Sequence, residues 1–151
     1  MKAKDLMTPN PACCTSETNL QQVAQLMVEE DCGCIPVVER QDNLKPLGII
    51  TDRDICCRTV ARGKNPLEMT AGQAMSGPVI SVTPETSIKE CCQVMEDEQV
   101  RRLIVVDKNG SCCGILAQAD IARHTSKEQA GEVVQEVSQP TDMEAPEGVF
   151  V

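Results

Sequence analysis

The chain has 151 residues, a length that fits one compact domain with a shared core, and 14 basic against 23 acidic side chains give it a net charge of −9. That charge opposes the counterion release from which nucleic-acid binders draw most of their affinity, and with Phe150 the one aromatic residue there are no stacking platforms for single strands, so nucleic acid is excluded as a partner. No apolar run approaches the roughly 18 residues that span a membrane, and Met1-Lys2-Ala3-Lys4-Asp5 leads into a capped, mixed segment instead of a signal peptide, so the expectation is a cytoplasmic protein without a membrane partner.

In chain order, Asn19 with Gln22 marks a helix start, and Leu20, Val23, Ala24 and Met27 follow at the spacing of one buried face. Ile35-Pro36-Val37-Val38 and Leu47-Gly48-Ile49-Ile50 read as paired strands, followed by a second helix at about Asp52–Arg62. The same order then recurs. Ser87 with Glu90 opens a helix whose apolar face is Ile88, Cys91, Cys92 and Met95, Leu103–Val106 and Cys113–Leu116 are strands, and Gln118–His124 is a helix. Residues 126–137 extend that last helix, and the acidic run Thr141–Gly148, broken by Pro and Gly, is expected to be disordered.

The recurrence is an internal repeat. Met75-Ser76 repeats Met7-Thr8, and Val105-Val106-Asp107 repeats Val37-Val38-Glu39, both 68 residues on. After a loop two residues shorter, Gly114-Ile115-Leu116 and Asp120-Ile121 repeat Gly48-Ile49-Ile50 and Asp54-Ile55 at 66. The fold class is therefore α/β, in the mixed α+β sense, built from two strand-helix-strand-strand-helix copies: residues 1–65, residues 66–124, and a C-terminal segment 125–151. Three short strands bury too little alone, which is a physical reason for two copies to pack together.

The most informative segments are Cys32-Gly33-Cys34-Ile35-Pro36-Val37-Val38 with Gly48-Ile49-Ile50-Thr51-Asp52-Arg53-Asp54, and Val100-Arg101-Arg102-Leu103-Ile104-Val105-Val106-Asp107 with Gly114-Ile115-Leu116-Ala117-Gln118-Ala119-Asp120. On these the chain resembles the cystathionine β-synthase (CBS) domain, and the tandem resembles a stand-alone CBS pair, or Bateman module. The resemblance implies a pseudo-twofold pair of repeats with two clefts, each taking an adenosine ligand such as AMP, ADP, ATP or S-adenosylmethionine. In the first, Thr51 and Asp54 would bind ribose, Arg53 is the nearest phosphate candidate, and Ile35, Pro36, Ser76, Pro78, Val79 and Ile80 would line the base pocket. In the second, Asp120 would take the ribose and Arg101 and Arg102 the phosphate, with Thr8, Asn10 and Ala12 completing the wall. It further implies a flat homodimer of two chains, a regulated protein target, and no required cofactor beyond the nucleotide as regulatory ligand.

The chemistry is sound on its own terms. A carboxylate accepts both hydrogen bonds of a cis-diol, an arginine fork fits phosphate, and a strand running into a helix N-terminus gathers backbone N–H groups. The two copies differ: Ala117 stands where the first has Thr51, and Gly33 and Cys34 stand where the second has Arg101 and Arg102.

Other readings compete. Thr51-x-x-Asp54 is also a capping box worth about 1 kcal/mol without any ligand, and His124 suits a helix end. The ten cysteines lack Cys-x-x-Cys spacing and replace apolar residues under the repeat, Cys91 and Cys92 standing for Val23 and Ala24, so they behave as small hydrophobes. Cys32-Gly33-Cys34 is the exception and a candidate thiol or metal site. No Gly-rich phosphate loop, carboxylate pair or nucleophile-base set stands out, so an enzyme is not expected. A ligand-free dimerisation or docking scaffold and a cysteine-based sensor remain as alternatives to the nucleotide-binding module.

Overall fold

The computed structural model describes residues 1–140. The elements run α1 (Ala3–Leu6), β1 (Thr8–Pro9), β2 (Cys14–Thr15), α2 (Leu20–Glu29), β3 (Cys34–Arg40), β4 (Asn43–Thr51), α3 (Asp52–Arg58) and α4 (Ala71–Ala74). They continue with β5 (Ser81–Val82), α5 (Ile88–Glu98), β6 (Arg102–Val106), β7 (Cys112–Ala117), α6 (Gln118–Ala122) and α7 (Lys127–Val137).

Two compact units emerge. Ala12–Val79 form the first; Met1–Pro11 and residues 80–140 form the second. In the first, β2 runs parallel to β3 and β3 antiparallel to β4, and α2 buries Leu20 and Val23 against Ile35, Val37 and Ile50. Ala71 and Ala74 of α4 complete that core. In the second, the sheet order is β1-β7-β6-β5, and the core joins Met95 and Cys91 of α5 to Leu103, Val105, Leu116 and Ile121, with Ala3 of α1 fully buried among them.

Each unit is therefore finished by the lead-in to the other copy. The Ala3 N–H donates to the Thr86 carbonyl at 2.8 Å, and 68 residues on the Ala71 N–H donates to the Thr18 carbonyl at 2.8 Å. The physical reason is the shortage of core already noted: β2 and β5 are two-residue strands, and a small helix laid on the exposed flank removes apolar surface that three strands cannot cover. Backbone pairing repeats as well, Thr8 facing Ile115 and Ser76 facing Ile49.

Local chemistry sets the helix ends. The Asn19, Ser87 and Thr51 side chains each accept the backbone N–H three residues on, and Glu90 and Asp54 reach back to close the boxes at Ser87 and Thr51. The second helix of the first copy is shorter than expected. It stops at Arg58 because the buried Thr59 turns its hydroxyl onto the Ile55 carbonyl at 2.5 Å, and Val60–Arg62 continue as a 3₁₀ turn ending in left-handed Gly63. Likewise α6 ends at Ala122, not His124. Residues 127–137 do not extend it but form the separate helix α7, started by the Ser126 hydroxyl accepting the Gln129 N–H at 3.2 Å and docked through Val133 and Val137. The expected acidic tail, Thr141–Gly148, lies outside the described residues.

Among the described residues no helix is long and apolar enough to cross a membrane. The cysteines behave largely as sequence replacement suggests: Cys14, Cys34, Cys91, Cys92 and Cys112 are buried. Burial pushes the Cys14 and Cys91 thiols up to about 11, away from thiolate chemistry.

Candidate functional site

Each unit ends its hairpin in a strand-to-helix turn carrying one acid at the third helical position. In the first unit β4 delivers Thr51 as the cap of α3. One oxygen of Asp54, Oδ2, accepts the Thr51 N–H at 3.0 Å, and the other, Oδ1, accepts the Ser76 hydroxyl at 3.0 Å. Ser76 is held there by its backbone: its N–H donates to the Ile49 carbonyl at 2.8 Å and its carbonyl accepts the Ile49 N–H at 3.0 Å. This close approach needs Gly48, where an added Cβ would stand 2.6 Å from the Ser76 carbonyl oxygen.

A residue missing from the sequence reading completes the group. The Arg58 guanidinium donates through Nη1 to the Met75 carbonyl at 2.5 Å and the Ala74 carbonyl at 3.2 Å, and its Nε lies 3.9 Å from Asp54 Oδ1. Arg53, the expected phosphate candidate, is exposed, and its N–H donates to Asp52 Oδ1 at 2.8 Å. The anticipated pool of free helix N-terminal amides is also absent at α3. The Asp52 N–H donates to the Gly33 carbonyl, the Arg53 N–H to Asp52 Oδ1 and the Asp54 N–H to Thr51 Oγ1. All three are engaged within the unit.

Of the other residues expected at this site, Ile35 and Pro36 are buried in β3 facing Ile50 and Ile49, Pro78 is exposed and Val79 half-buried, all within the same unit. Ile80 is not: it opens the second unit, where its carbonyl accepts the Ile104 N–H at 3.2 Å.

The second unit repeats the turn with different chemistry. Asp120 Oδ2 accepts the Ala117 N–H at 2.8 Å, but Ala117 has no hydroxyl to return the bond, and Asp120 Oδ1 accepts instead from Arg123 Nη2 at 2.6 Å. Arg102 opens β6 opposite Ala117, and the carbonyl of the exposed Arg101 accepts the Gln118 N–H at 2.9 Å, so strand register brings both arginines to the turn. Thr8 pairs with Ile115 on β1, and the Asn10 N–H donates to the Cys113 carbonyl at 2.9 Å. Ala12 falls in the first unit. His124 sits at the helix end as expected, its Nδ1 2.8 Å from the Asp120 carbonyl.

Cys32 is exposed with Sγ directed at the Cys34 carbonyl 3.4 Å away, Cys34 is buried in β3, and among the described residues no three His, Cys, Asp or Glu side chains gather as a metal site.

The CBS domain family model matches residues 3–58 and 71–127. The chain is 38% identical over 136 residues to CBS domain-containing protein YhcV of Bacillus subtilis, covering 89% of this chain and 94% of the relative. It is 38% identical over 118 residues to the uncharacterized protein MK0525 of Methanopyrus kandleri, of whose length it spans 57%. Among solved structures, Hypoxic Response Protein I with two coordinated zinc ions superposes with a TM-score of 0.73 at 36% identity, covering 83% of this chain and all of that one. CBSX2 in complex with AMP, from Arabidopsis thaliana, gives 0.67 at 26%, covering 81% and 93%.

Proposed function

Because the chain belongs to the CBS domain family and carries two of its repeats, we propose that it is a regulatory module, not an enzyme, that binds adenosine-containing ligands at its two strand-to-helix turns. The observation that carries this is the pair of acids in matching places. Asp54 and Asp120 each spend one lone pair of one oxygen on the backbone N–H of the residue three before, which aims the carboxylate while leaving lone pairs for a ribose cis-diol. CBSX2, solved with AMP, lends weight to an adenosine ligand.

The two turns suit different members of that class. At Asp120 the Arg123 guanidinium donates to the acid and strand register brings Arg101 and Arg102 to the same turn, a setting for a phosphorylated nucleotide. At Asp54 the neighbouring acid Asp52 lies against Gly33, which holds the place of Arg101, so an adenosine with a neutral or cationic 5′ group, such as S-adenosylmethionine, fits better there. The ligand state then passes to a protein target through a homodimer of such chains, in the cytoplasm. A ligand shifts such an assembly only by its differential affinity for two states, typically about 1–3 kcal/mol.

Calorimetry with AMP, ADP, ATP and S-adenosylmethionine tests the reading. It expects binding of at least one, with AMP lost on Arg101→Ala, Arg102→Ala and S-adenosylmethionine retained. Absence of heat from all four at millimolar concentration refutes it and favours a ligand-free scaffold.

One observation favours a second reading, a metal-bound form: Hypoxic Response Protein I was solved with two zinc ions. Zinc retained after dialysis of this protein, and lost from a Cys32→Ser, Cys34→Ser variant, would establish it.

A further inference from the structure

We propose that Arg58 is the positioning residue of the Asp54 site, the side chain that latches the 74–76 turn onto α3 and so keeps the Ser76 hydroxyl on the carboxylate. What the site binds rests on the adenosine reading; the latch is read from contacts alone.

Asp54 and Arg58 are four residues apart and share one face of α3. Both reach the same stretch of chain, Asp54 through the Ser76 hydroxyl and Arg58 through two carbonyls. Those carbonyls, of Ala74 and Met75, belong to the last residue of α4 and its cap, where a helix leaves its C=O groups without intrahelical partners. A cationic donor satisfies them better than water-exposed loop groups could, because the guanidinium brings charge as well as N–H. The same guanidinium lies 3.9 Å from Asp54 Oδ1, which ties the acid, the hydroxyl and the turn into one group. The Arg58 side chain is 36% exposed and that of Asp54 15%, so the latch sits at the mouth of the group with the acid behind it.

The second unit supplies the contrast. His124 occupies the place of Arg58 under the repeat, and its ring turns back to its own helix at the Asp120 carbonyl. Asp120 takes its cation from Arg123, three residues on, which replaces Cys57. The latch is therefore a property of one turn, and the other serves as an internal control.

The test uses the full chain and compares the parent with Arg58→Met, which keeps length and loses every donor, and Arg58→Lys, which keeps charge and donors. Amide exchange is read at Ser76, whose N–H bonds to Ile49, and at Ile50 in the core. S-adenosylmethionine binding is read alongside, with Asp54→Ala identifying the component that belongs to this turn. The latch predicts exchange at Ser76 at least tenfold faster in Arg58→Met with Ile50 unchanged, most of the protection restored by Arg58→Lys, and a tenfold loss confined to the Asp54-dependent component. Parent-like exchange at Ser76 in Arg58→Met overturns the proposal, as does a rise at Ser76 and Ile50 alike, which would mark general destabilisation. If the parent binds none of AMP, ADP, ATP and S-adenosylmethionine, the adenosine reading falls, while the exchange comparison still decides the latch.

Discussion

Substituting Gly48 by alanine probes the closest approach of backbone in the candidate site. A Cβ there would lie 2.6 Å from the Ser76 carbonyl oxygen and 3.1 Å from Met75 Sδ, far inside the ~3.5–4.0 Å at which nonbonded heavy atoms attract. The first neighbour is backbone and cannot step aside alone, since Ser76 exchanges two hydrogen bonds with Ile49. Overpacking of this kind costs about 1–3 kcal/mol, and each backbone bond lost with it about 1 kcal/mol. Alanine recovers about 0.4–1 kcal/mol by restricting the unfolded chain, which leaves a net loss of about 1–3 kcal/mol. Gly114 is the matched control: its added Cβ would meet Met7 Sδ, Cγ and Cε, the end of a side chain with three rotatable bonds. Thermal unfolding followed by far-ultraviolet circular dichroism suits a protein with no Trp or Tyr. At about 2–8 °C per kcal/mol, Gly48→Ala should lower Tm by several degrees and Gly114→Ala by little. Equal losses, or none for Gly48→Ala, would refute the argument from backbone contact.

Further outcomes follow from the same contacts. Ala117 has the extended backbone of a cap, φ −101 and ψ 155, close to that of Thr51, so Ala117→Ser should stabilise the chain and Thr51→Ala destabilise it, each by about 1 kcal/mol in denaturant titration. Leu103, fully buried beside Leu116 and Met95, should cost about 2–5 kcal/mol as alanine. The Cys14 and Cys91 thiols are raised by burial from about 9 to about 11, so the folded state binds the proton more tightly than the unfolded one. Their contribution to stability is complete below pH 9 and fades as pH rises toward 11, and alkylation at pH 8 should modify exposed Cys32 and Cys56 first. Replacing both Cys14 and Cys91 with alanine should flatten the alkaline limb of the stability curve.

The sequence carried the repeat because its signals are local and recur: the apolar spacing of Leu20 to Met27 and Ile88 to Met95, and the caps Asn19, Ser87 and Thr51. The exchange of lead-in segments was not legible. Pairing of Thr8 with Ile115 joins residues far apart in sequence through a two-residue strand too short for any periodicity. Arg58 escaped notice because its partners are carbonyls, which leave no mark in a sequence, although its place four residues after Asp54 was visible. The separate start of α7 could have been read from Ser126-x-x-Gln129, the same signal that located α5. Nearness in sequence points to Arg53, whereas α3 turns position 58, not 53, to the face of Asp54.

The account stands most directly on calorimetric titration of the parent chain and its Asp54→Ala, Asp120→Ala double variant with AMP and with S-adenosylmethionine. Binding by the parent that vanishes in the double variant, with each single variant losing one component, is the predicted result. Parent-like affinity in the double variant would contradict it, since the ribose would then be held by something other than the two acids that the repeat places at matching turns.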